Sequence, residues 1–577
     1  MCGILFLNSS QNLNSPEKSK FKRSIKLLDH RGPDNNDIFF TEKFALGHTR
    51  LSIIDLSNKS NQPFFSKNDK KYFAINGEII NYKILANKYN YNDEDYGSDS
   101  DLVFKLFTKY GFKNIINELE GMFAGIFIDC NKNESYIFRD RFGIKPLYYI
   151  NSKNRFLASS EINSLLPFLD KVEIFKPVVK DFILDGNIDH SSNTFFNNIH
   201  QLRSGSYIKL ELNSQKININ KWYEPGFSCP ASKLSFDDAT ENLEIILKEI
   251  LEQNYISDVP LAINLSEGID STLLSFLSEL TNQNPYAYSM KYGLEELDEY
   301  YKLQSINFNR EFIEYDYLSF LEHAKDVIRH QGQPFTGMFT VAYSILYQTS
   351  KAAGYKVHLD GNGIDEIFLG YDKYLRKNSK TFNKSLSGEI YQNYDFYNKD
   401  LINSPNSLTI KNIISNLPSG ISEKRKAAFI DLFYLKIPRV LRFNDCVSMQ
   451  HSCELRVPFL DHRLLDFSNT LPTDYLISDT KGMGKLIIRN ILKKHFGEKF
   501  SFSKKRYIQT NQTNLLLKEM NNLLRNTLLS DRFFSRNIVD PYKFKTHINR
   551  LNEKNLKNSY YLWRLLSYEW WCQQFID

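Results

Sequence analysis

Cys2, which follows Met1 in the opening MCGILFLN, is the first candidate for a catalytic residue. Removal of Met1 leaves a thiol and a free α-amino group on the same residue. An α-amine has an unperturbed pKa of about 7.7–8.0, close to the pH at which a general base is most effective. Cys2 can then act as a nucleophile without a histidine partner, although a cysteine at position 2 is more often incidental.

A second candidate is the loop LSEGIDST (265–272), which follows the apolar run VPLAINL and opens a helix. It resembles the S-G-G-x-D-S pyrophosphate loop of ATP pyrophosphatases, in which hydroxyls and backbone N–H groups hold phosphates at a helix N-terminus. The resemblance implies that Asp270 ligates Mg²⁺. It places ATP and its pyrophosphate on Leu265, Ser266, Gly268, Asp270 and Ser271. Taken alone, such a cluster is more often an ordinary capped turn.

The elements around these residues divide the chain into two parts. Over 1–206, short strand-like runs separated by turns, such as NDIFF and FALGHTRLSII, predict a β-rich layered domain. A weakly patterned connector follows at 207–234. Over 235–577, strand–loop–helix units predict a doubly wound parallel α/β domain with ligands at the carboxyl ends of the strands. The last stretch, LWRLLSYEWWCQQF, is interpreted as an aromatic helix that covers a core.

Composition argues against several classes of protein. A net charge of +6 over 577 residues gives little support to a nucleic-acid partner. No apolar run reaches the ~18 residues of a membrane helix, and a signal-peptide pattern is absent. The six cysteines form no C-x-x-C pair and the histidines no cluster at metal spacing, so neither a zinc site nor a disulfide framework is predicted. We expect a cytoplasmic protein, and leave its oligomeric state open, with a homodimer as one candidate.

Six strings in the first part resemble, in order, the class II glutamine amidotransferase domain. They are MCGI, HRGPD (30–34), GHTRLSIIDLS (47–57), NGEIINY (76–82), SDSD (98–101) and RDRFGIKPLYY (139–149). The resemblance implies the αββα fold of the N-terminal-nucleophile hydrolases over 1–206, with glutamine hydrolysed at Cys2. Since the α-amine of Cys2 can act as the base, His30 and His48 are interpreted as structural.

The same resemblance implies roles for the residues around the nucleophile. Attack on the glutamine amide builds negative charge on its oxygen, which the Asn76 side chain and the Gly77 N–H would stabilise. The substrate's α-carboxylate and α-amine need partners of opposite charge. The forked guanidinium of Arg50 suits the carboxylate, and Glu78 and Asp99 suit the ammonium.

The second part resembles the synthetase domain of the glutamine-hydrolysing asparagine synthetase family. The matching strings, in order, are LDE (297–299), HQGQPF (330–335), LDGNGIDEIFLGY (359–371), SMQHSCELRVPFLDH (448–462) and GKLIIR (484–489). With the first part, the resemblance covers nearly the whole chain and implies an ATP-pyrophosphatase-type domain over 235–577. It implies that Asp365 is a second Mg²⁺ ligand, with Glu366 beside it in the active site. Lys485 and Arg489 would face the phosphates and the adenylated intermediate.

Two residues depart from the family pattern. Glu267 replaces the first glycine of the pyrophosphate loop, and at ~4 Å two like charges cost about 4 kcal/mol at an effective dielectric of 20. Asn362 stands where asparagine synthetases carry glutamate in G-E-G-x-D-E, and an asparagine cannot accept a proton as a base. The form LDGNGIDE instead resembles a branch with L-D-G-Q-G-x-D-E that is associated with cell-surface polysaccharide synthesis.

Together these patterns predict a glutamine-dependent carbon–nitrogen ligase of the asparagine synthase type. Ammonia released at Cys2 would amidate a carboxylate that the second domain adenylates with Mg·ATP, yielding AMP and pyrophosphate. Aspartate is the expected acceptor and asparagine the product. An alternative is amidation of a sugar uronate or another carboxylate. A further alternative is a catalytically silent homologue that binds nucleotide or a partner; the two departures motivate it, and the intact reactive positions argue against it.

Overall fold

The computed structural model describes residues 2–226, 232–266, 268–291, 309–314, 317–375, 395–415, 417, 421–479, 482–502, 515–551 and 560–577. The strands within these ranges are β1 Gly3–Ser9, β2 Asn35–Phe40, β3 Phe44–Arg50, β4 Phe64–Ser66, β5 Lys71–Ile79, β6 Gly121–Asp129, β7 Glu134–Arg139, β8 Tyr148–Asn151, β9 Arg155–Ser159, β10 His200–Gln201, β11 Ser206–Glu211, β12 Ile217–Lys221, β13 Leu261–Asn264, β14 Tyr286–Lys291, β15 Arg310–Glu314, β16 Val357–Leu359, β17 Glu454–Arg456, β18 Ile477–Ser478 and β19 Met483–Gly484.

The α-helices of the same ranges are α1 Ser15–Lys26, α2 Tyr82–Lys88, α3 Asp99–Tyr110, α4 Phe112–Ile115, α5 Lys176–Asp185, α6 Phe236–Asn254, α7 Ile269–Leu280, α8 Tyr317–Gln331, α9 Phe339–Ala352, α10 Ile364–Ile367, α11 Lys399–Asn403, α12 Ile410–Ser415, α13 Glu423–Ile430, α14 Ile437–Gln450, α15 His462–Thr470, α16 Thr473–Leu476, α17 Leu486–Ser501, α18 Asn521–Leu528, α19 Asp531–Phe534, α20 Pro541–Arg550 and α21 Tyr560–Phe575.

The first part of the chain folds into two antiparallel six-stranded sheets, ordered β10-β8-β9-β1-β3-β2 and β12-β11-β7-β6-β5-β4. Successive side chains of β1 point to opposite faces: Ile4 and Phe6 pack in the core between the sheets, and Leu5 and Leu7 pack in the core that holds α1. Helices α2 to α4 share a core with the outer face of the second sheet. The predicted αββα layering is confirmed. Strands β11 and β12 continue the second sheet through residues that the sequence assigns to the connector, and the domain limits stay a prediction.

The second part contains a parallel five-stranded sheet with the order β15-β14-β13-β16-β17. One face packs with α6, α7 and α17, and the other with α8, α9 and α14. The predicted doubly wound sheet is therefore confirmed. Chain order reverses between the neighbouring strands β13 and β16, and ligands of such sheets bind at the crevice that this reversal opens.

Helix α21 joins the two parts, as expected of a helix that covers a core. The Trp571 ring lies 5.1 Å from that of Phe195 and 5.3 Å from that of Phe196, centroid to centroid. One continuous hydrophobic core accordingly includes residues of β1, α5, α9 and α21. Among the described residues, no helix is long and apolar enough to cross a membrane.

Candidate active sites

Cys2 lies immediately before β1 and is buried, with 7% of its surface exposed. Its backbone nitrogen donates to Asn76 Oδ1 (2.9 Å) and its carbonyl oxygen accepts from Arg31 Nε (3.1 Å). Burial raises the pKa of the thiol, so a base must take its proton when it attacks. Met1 lies outside the described residues. The pocket at Cys2 is lined by Cys2, Arg50, Leu51, Ile53, Ile54, Ser60, Gln62, Gly77, Glu78, Ser98, Asp99 and Ser100.

The two residues predicted to stabilise an oxyanion are neighbours in β5. Asn76 is fully buried, and its Nδ2 has no hydrogen-bond partner among the described residues. Leaving a buried donor without an acceptor costs about 1–3 kcal/mol. An oxyanion that accepts from Asn76 Nδ2 would offset this cost. Gly77 has a φ of 138°, and a Cβ there would lie 1.9 Å from Met122 O. The neighbouring strand therefore requires glycine at this position.

Arg50 ends β3, and the following loop holds its guanidinium. Nη1 donates to Ser57 O (2.6 Å) and Asn61 Oδ1 (2.7 Å), and Nη2 donates to the backbone oxygen of Asp55. These acceptors are uncharged, and the described residues supply no carboxylate ion pair to Arg50. The Arg50 guanidinium is thus held in one orientation, and its positive charge is available to a substrate carboxylate.

Glu78 and Asp99 lie on the same pocket wall and are both buried. Asp99 Oδ2 accepts from Ile79 N (2.8 Å), and burial raises the pKa of Asp99. Glu78 Oε2 is paired with Arg456 Nη2 from the second part of the chain. Sequence reasoning missed this arginine, although it lies in the quoted string SMQHSCELRVPFLDH. The pair compensates one of the two buried carboxylates.

His48 lies in β3, outside the lining of this pocket. It is fully buried, and its Nε2 lies 3.2 Å from Ile75 O. Burial lowers the pKa of His48 to about 3, so the ring is neutral near pH 7. These contacts are those of a sheet residue, in keeping with the structural interpretation.

A second site occupies the crevice where the loops after β13 and β16 meet. In the first loop, Ser266 N donates to Ser271 Oγ (3.0 Å), and that hydroxyl donates to Ser266 O (2.7 Å). Gly268 precedes α7, whose N-terminus points its N–H groups at the loop. Leu265 is buried and ties the loop to β14 through a 2.9 Å bond to Tyr288 O. Glu267 and the LDE string at 297–299 lie outside the described residues.

Lys485 brings the predicted metal ligands together. Its Nζ lies 2.6 Å from Asp365 Oδ1 and is also bonded to Asp270 Oδ1. Gly370 leaves space for this arrangement, since a Cβ there would lie 2.0 Å from Asp365 Oδ1 and 2.1 Å from Lys485 Cε. The carboxylates thus converge on a cation. Hard carboxylate oxygens are the donors that Mg²⁺ prefers, so this pair fits the ion.

Arg489 and Glu366 flank these carboxylates. Arg489 donates from Nε to Gly484 O (2.9 Å) and from Nη1 to Ser501 O (2.6 Å). Glu366 is buried, which raises its pKa, and its Oε1 accepts from Tyr371 OH (2.9 Å). A cavity next to it is lined by Glu366, Ile367, Leu369, Arg425, Ala428, Phe429, Leu432, Leu465 and Asn469.

Asn362 holds the loop after β16 in shape. Its backbone N–H donates to Asp360 Oδ1 (3.1 Å), and its Nδ2 donates to the same oxygen. The other oxygen of Asp360 accepts from Asn264 Nδ2 (3.1 Å), and burial raises the pKa of Asp360. A glutamate at 362 could not donate in this way and would repel Asp360. The sequence departure thus has a local structural counterpart.

Comparison with known proteins matches both parts to families. A glutamine amidotransferase domain model matches residues 1–223, and an asparagine synthase model matches residues 242–573. An amidase of Penicillium rubens, chyE, is 26% identical, with 88% of each chain covered. Asparagine synthetase [glutamine-hydrolyzing] 3 of Bacillus subtilis is 25% identical, covering 84% of this chain and 83% of its own. Asparagine synthetase [glutamine-hydrolyzing] 1 of the same organism is 24% identical, covering 99% and 96%.

Proposed function

Because the chain belongs to the asparagine synthase family and begins with a glutamine amidotransferase domain, we propose that it hydrolyses glutamine at Cys2 and uses the ammonia to amidate an ATP-activated carboxylate. The observation that carries the proposal is the convergence of Cys2, Arg50 and Asp99 on one pocket and of Asp270 and Asp365 on Lys485 at the other. This double convergence also argues against a catalytically silent homologue.

In the glutaminase step, Arg50 binds the substrate α-carboxylate and Asp99 its ammonium. The Cys2 sulfur attacks the side-chain amide carbon as its proton passes to the Cys2 α-amine. Asn76 Nδ2 and the Gly77 N–H stabilise the oxyanion. The proton is then given to the leaving ammonia, and water releases glutamate from the thioester.

In the synthetase step, the loop from Leu265 to Ser271 and the basic residues Lys485 and Arg489 hold the ATP phosphates. Asp270 and Asp365 would hold Mg²⁺, which would neutralise phosphate charge. The charge of Lys485 would stabilise the negative charge that develops as pyrophosphate leaves. Ammonia then displaces AMP from the acyl adenylate and forms the amide, beside Glu366.

Aspartate is the acceptor we propose first, because it is the acceptor implied by membership of the asparagine synthase family. A sugar uronate or another carboxylate is the second candidate. The Asn362–Asp360 bond favours it, since position 362 carries an amide where asparagine synthetases carry a carboxylate.

The test supplies purified protein with glutamine and Mg·ATP and compares aspartate with a panel of uronic acids. Aspartate-dependent AMP, pyrophosphate and asparagine would support the first candidate; turnover on a uronate alone would support the second. In Cys2→Ala, or in protein that keeps Met1, glutamine-dependent amidation should disappear and ammonia-dependent amidation should persist. Full glutamine-dependent turnover by Cys2→Ala would contradict the proposed glutaminase.

A further inference from the structure

A cluster of two histidines and one glutamate lies between the two parts of the chain, outside both candidate sites. Its members are His30, Glu161 and His330, and their potential ligand atoms all lie within 4.8 Å of one another. His30 Nε2 is 3.0 Å from Glu161 Oε1. The rings of His30 and His330 meet edge to face, with centroids 4.5 Å apart. Spacing along the sequence gave no sign of this cluster, because His330 comes from the other part of the chain.

One oxygen of the cluster has unused bonding capacity. Glu161 is 3% exposed, and its Oε1 accepts from both His30 and Arg31 Nη1 (2.9 Å). Its Oε2 is buried and has no hydrogen-bond partner among the described residues. Most buried carboxylate oxygens are paired, so this oxygen points to an absent cation or donor.

We propose that His30, Glu161 and His330 form a binding site for a divalent transition metal of the Zn²⁺ class. Two imidazoles and one carboxylate match the donor preference of Zn²⁺, with the fourth position open to water. Tetrahedral bonds of about 2.0–2.1 Å place ligand atoms roughly 3.4 Å apart, so small side-chain movements close the site. His30 and His330 are only half-buried, which leaves an entry path.

Metal binding would clamp the two parts of the chain to each other. His30 and Glu161 belong to the amidotransferase part, and His330 lies in the last turn of α8 in the synthetase part. Arg31 keeps a carboxylate partner when the metal binds Glu161, because its Nη2 is also bonded to Asp445 Oδ2 (2.9 Å). The neighbouring ion pair can therefore persist in the metal-bound form.

The experiment titrates the chelator-treated full chain with Zn²⁺ by calorimetry and with Co²⁺ by visible absorption. A Cys2→Ala background removes the pocket thiol as a competing ligand. We expect one equivalent to bind, a higher Tm in the presence of metal, and Co²⁺ spectra without thiolate charge-transfer bands. His330→Gln should weaken binding at least tenfold and abolish the metal-dependent rise in Tm. His495→Gln, which changes a partly exposed histidine elsewhere, should do neither.

Three results would overturn the proposal: no binding, unchanged affinity in His330→Gln, or thiolate bands in the Co²⁺ spectrum. The metal-free Tm of each variant shows whether it folds. Glu161→Gln is a second variant that removes one proposed ligand, and it is used if His330→Gln is unstable. None of these measurements depends on glutamine hydrolysis or on ATP.

Discussion

The guanidinium of Arg456 is paired with the carboxylate of Glu78 in the Cys2 pocket, and Arg456 O accepts from Asp360 N (2.9 Å) in the loop of the second site. One buried residue thus contacts elements of both sites. Arg456 ends β17, at the edge of the parallel sheet. The two candidate sites are therefore connected through Arg456, and a shift of this strand would also move the partner of Glu78.

We expect Arg456→Lys to weaken glutamine use while the ammonia-dependent reaction is nearly unchanged. Lysine keeps the charge but lacks the fork that contacts several oxygens at once. The KM for glutamine should rise about tenfold, which corresponds to about 1.4 kcal/mol. Arg203→Lys is the matched control, because Arg203 also bonds across the parts, through Phe433 O. Equal losses with glutamine and ammonia would contradict the predicted role.

Asp365→Asn and Lys485→Gln should each remove ATP-dependent AMP formation by about 10²-fold or more. The first change removes a carboxylate that converges on the cation position, and the second removes a charge that faces the phosphates. Glutamine hydrolysis at Cys2 should continue in both variants. Lys424→Gln is the control, since Lys424 makes an ion pair with Asp479 and not with either predicted metal ligand. Normal AMP release by either site variant would refute its assignment.

Asn362→Asp tests the amide that bonds to Asp360. The substitution keeps the size of the side chain but replaces a donor with a second carboxylate, so the two groups repel each other when both are ionised. We expect about a tenfold fall in ATP-dependent turnover at pH 8. The deficit should shrink at pH 5.5 relative to wild type, as the new pair takes up a proton and can share it. A deficit that is the same at both pH values would count against this account.

His358 should make the folded protein acid-sensitive. It is fully buried, with Nε2 2.6 Å from Ser350 Oγ and Nδ1 3.1 Å from Asn264 Oδ1, and burial lowers its pKa to about 3. Unfolded histidine has a pKa of about 6.5. Between these values the unfolded state binds the extra proton, so stability falls as pH falls, by up to about 1.4 kcal/mol per pH unit.

Urea unfolding of His358→Gln at pH 8, 6 and 5 measures this contribution. The variant should be less stable than wild type at pH 8, because it loses buried hydrogen bonds, but its free energy of unfolding should fall less steeply with acid. His495→Gln, which removes an exposed histidine, is the control variant. Parallel slopes for wild type and His358→Gln would show that His358 does not titrate in this way.

The sequence predicted residues that the structure brings together, such as Cys2, Arg50 and Asp99 in one pocket, but it did not predict the contacts between the two parts of the chain. Short strings in a fixed order predicted both folds through their resemblance to known families, and several of them mark the end of a strand or the start of a helix, as NGEIINY does at the end of β5. Arg31 and Asp445, which are 414 positions apart and bonded at 2.9 Å, have no local pattern that links them. The bond from Asn362 to Asp360 was also missed, because a departure from a family pattern shows what is lost and not what replaces it.

The hydrophobic core that runs from β1 to α21 limits how this chain can be taken apart or recombined. Trp571 is fully buried against Phe195 and Phe196, and one aromatic side chain buries about 150–250 Å², equivalent to about 4–6 kcal/mol. If the two parts were expressed separately, these rings would be exposed to water and would form an apolar patch that favours aggregation. A chimaera of either part with the complementary part of a relative would likewise bring together core surfaces that do not match each other. The two parts have separate candidate sites but share one hydrophobic core, so we expect that neither part is stable without the other.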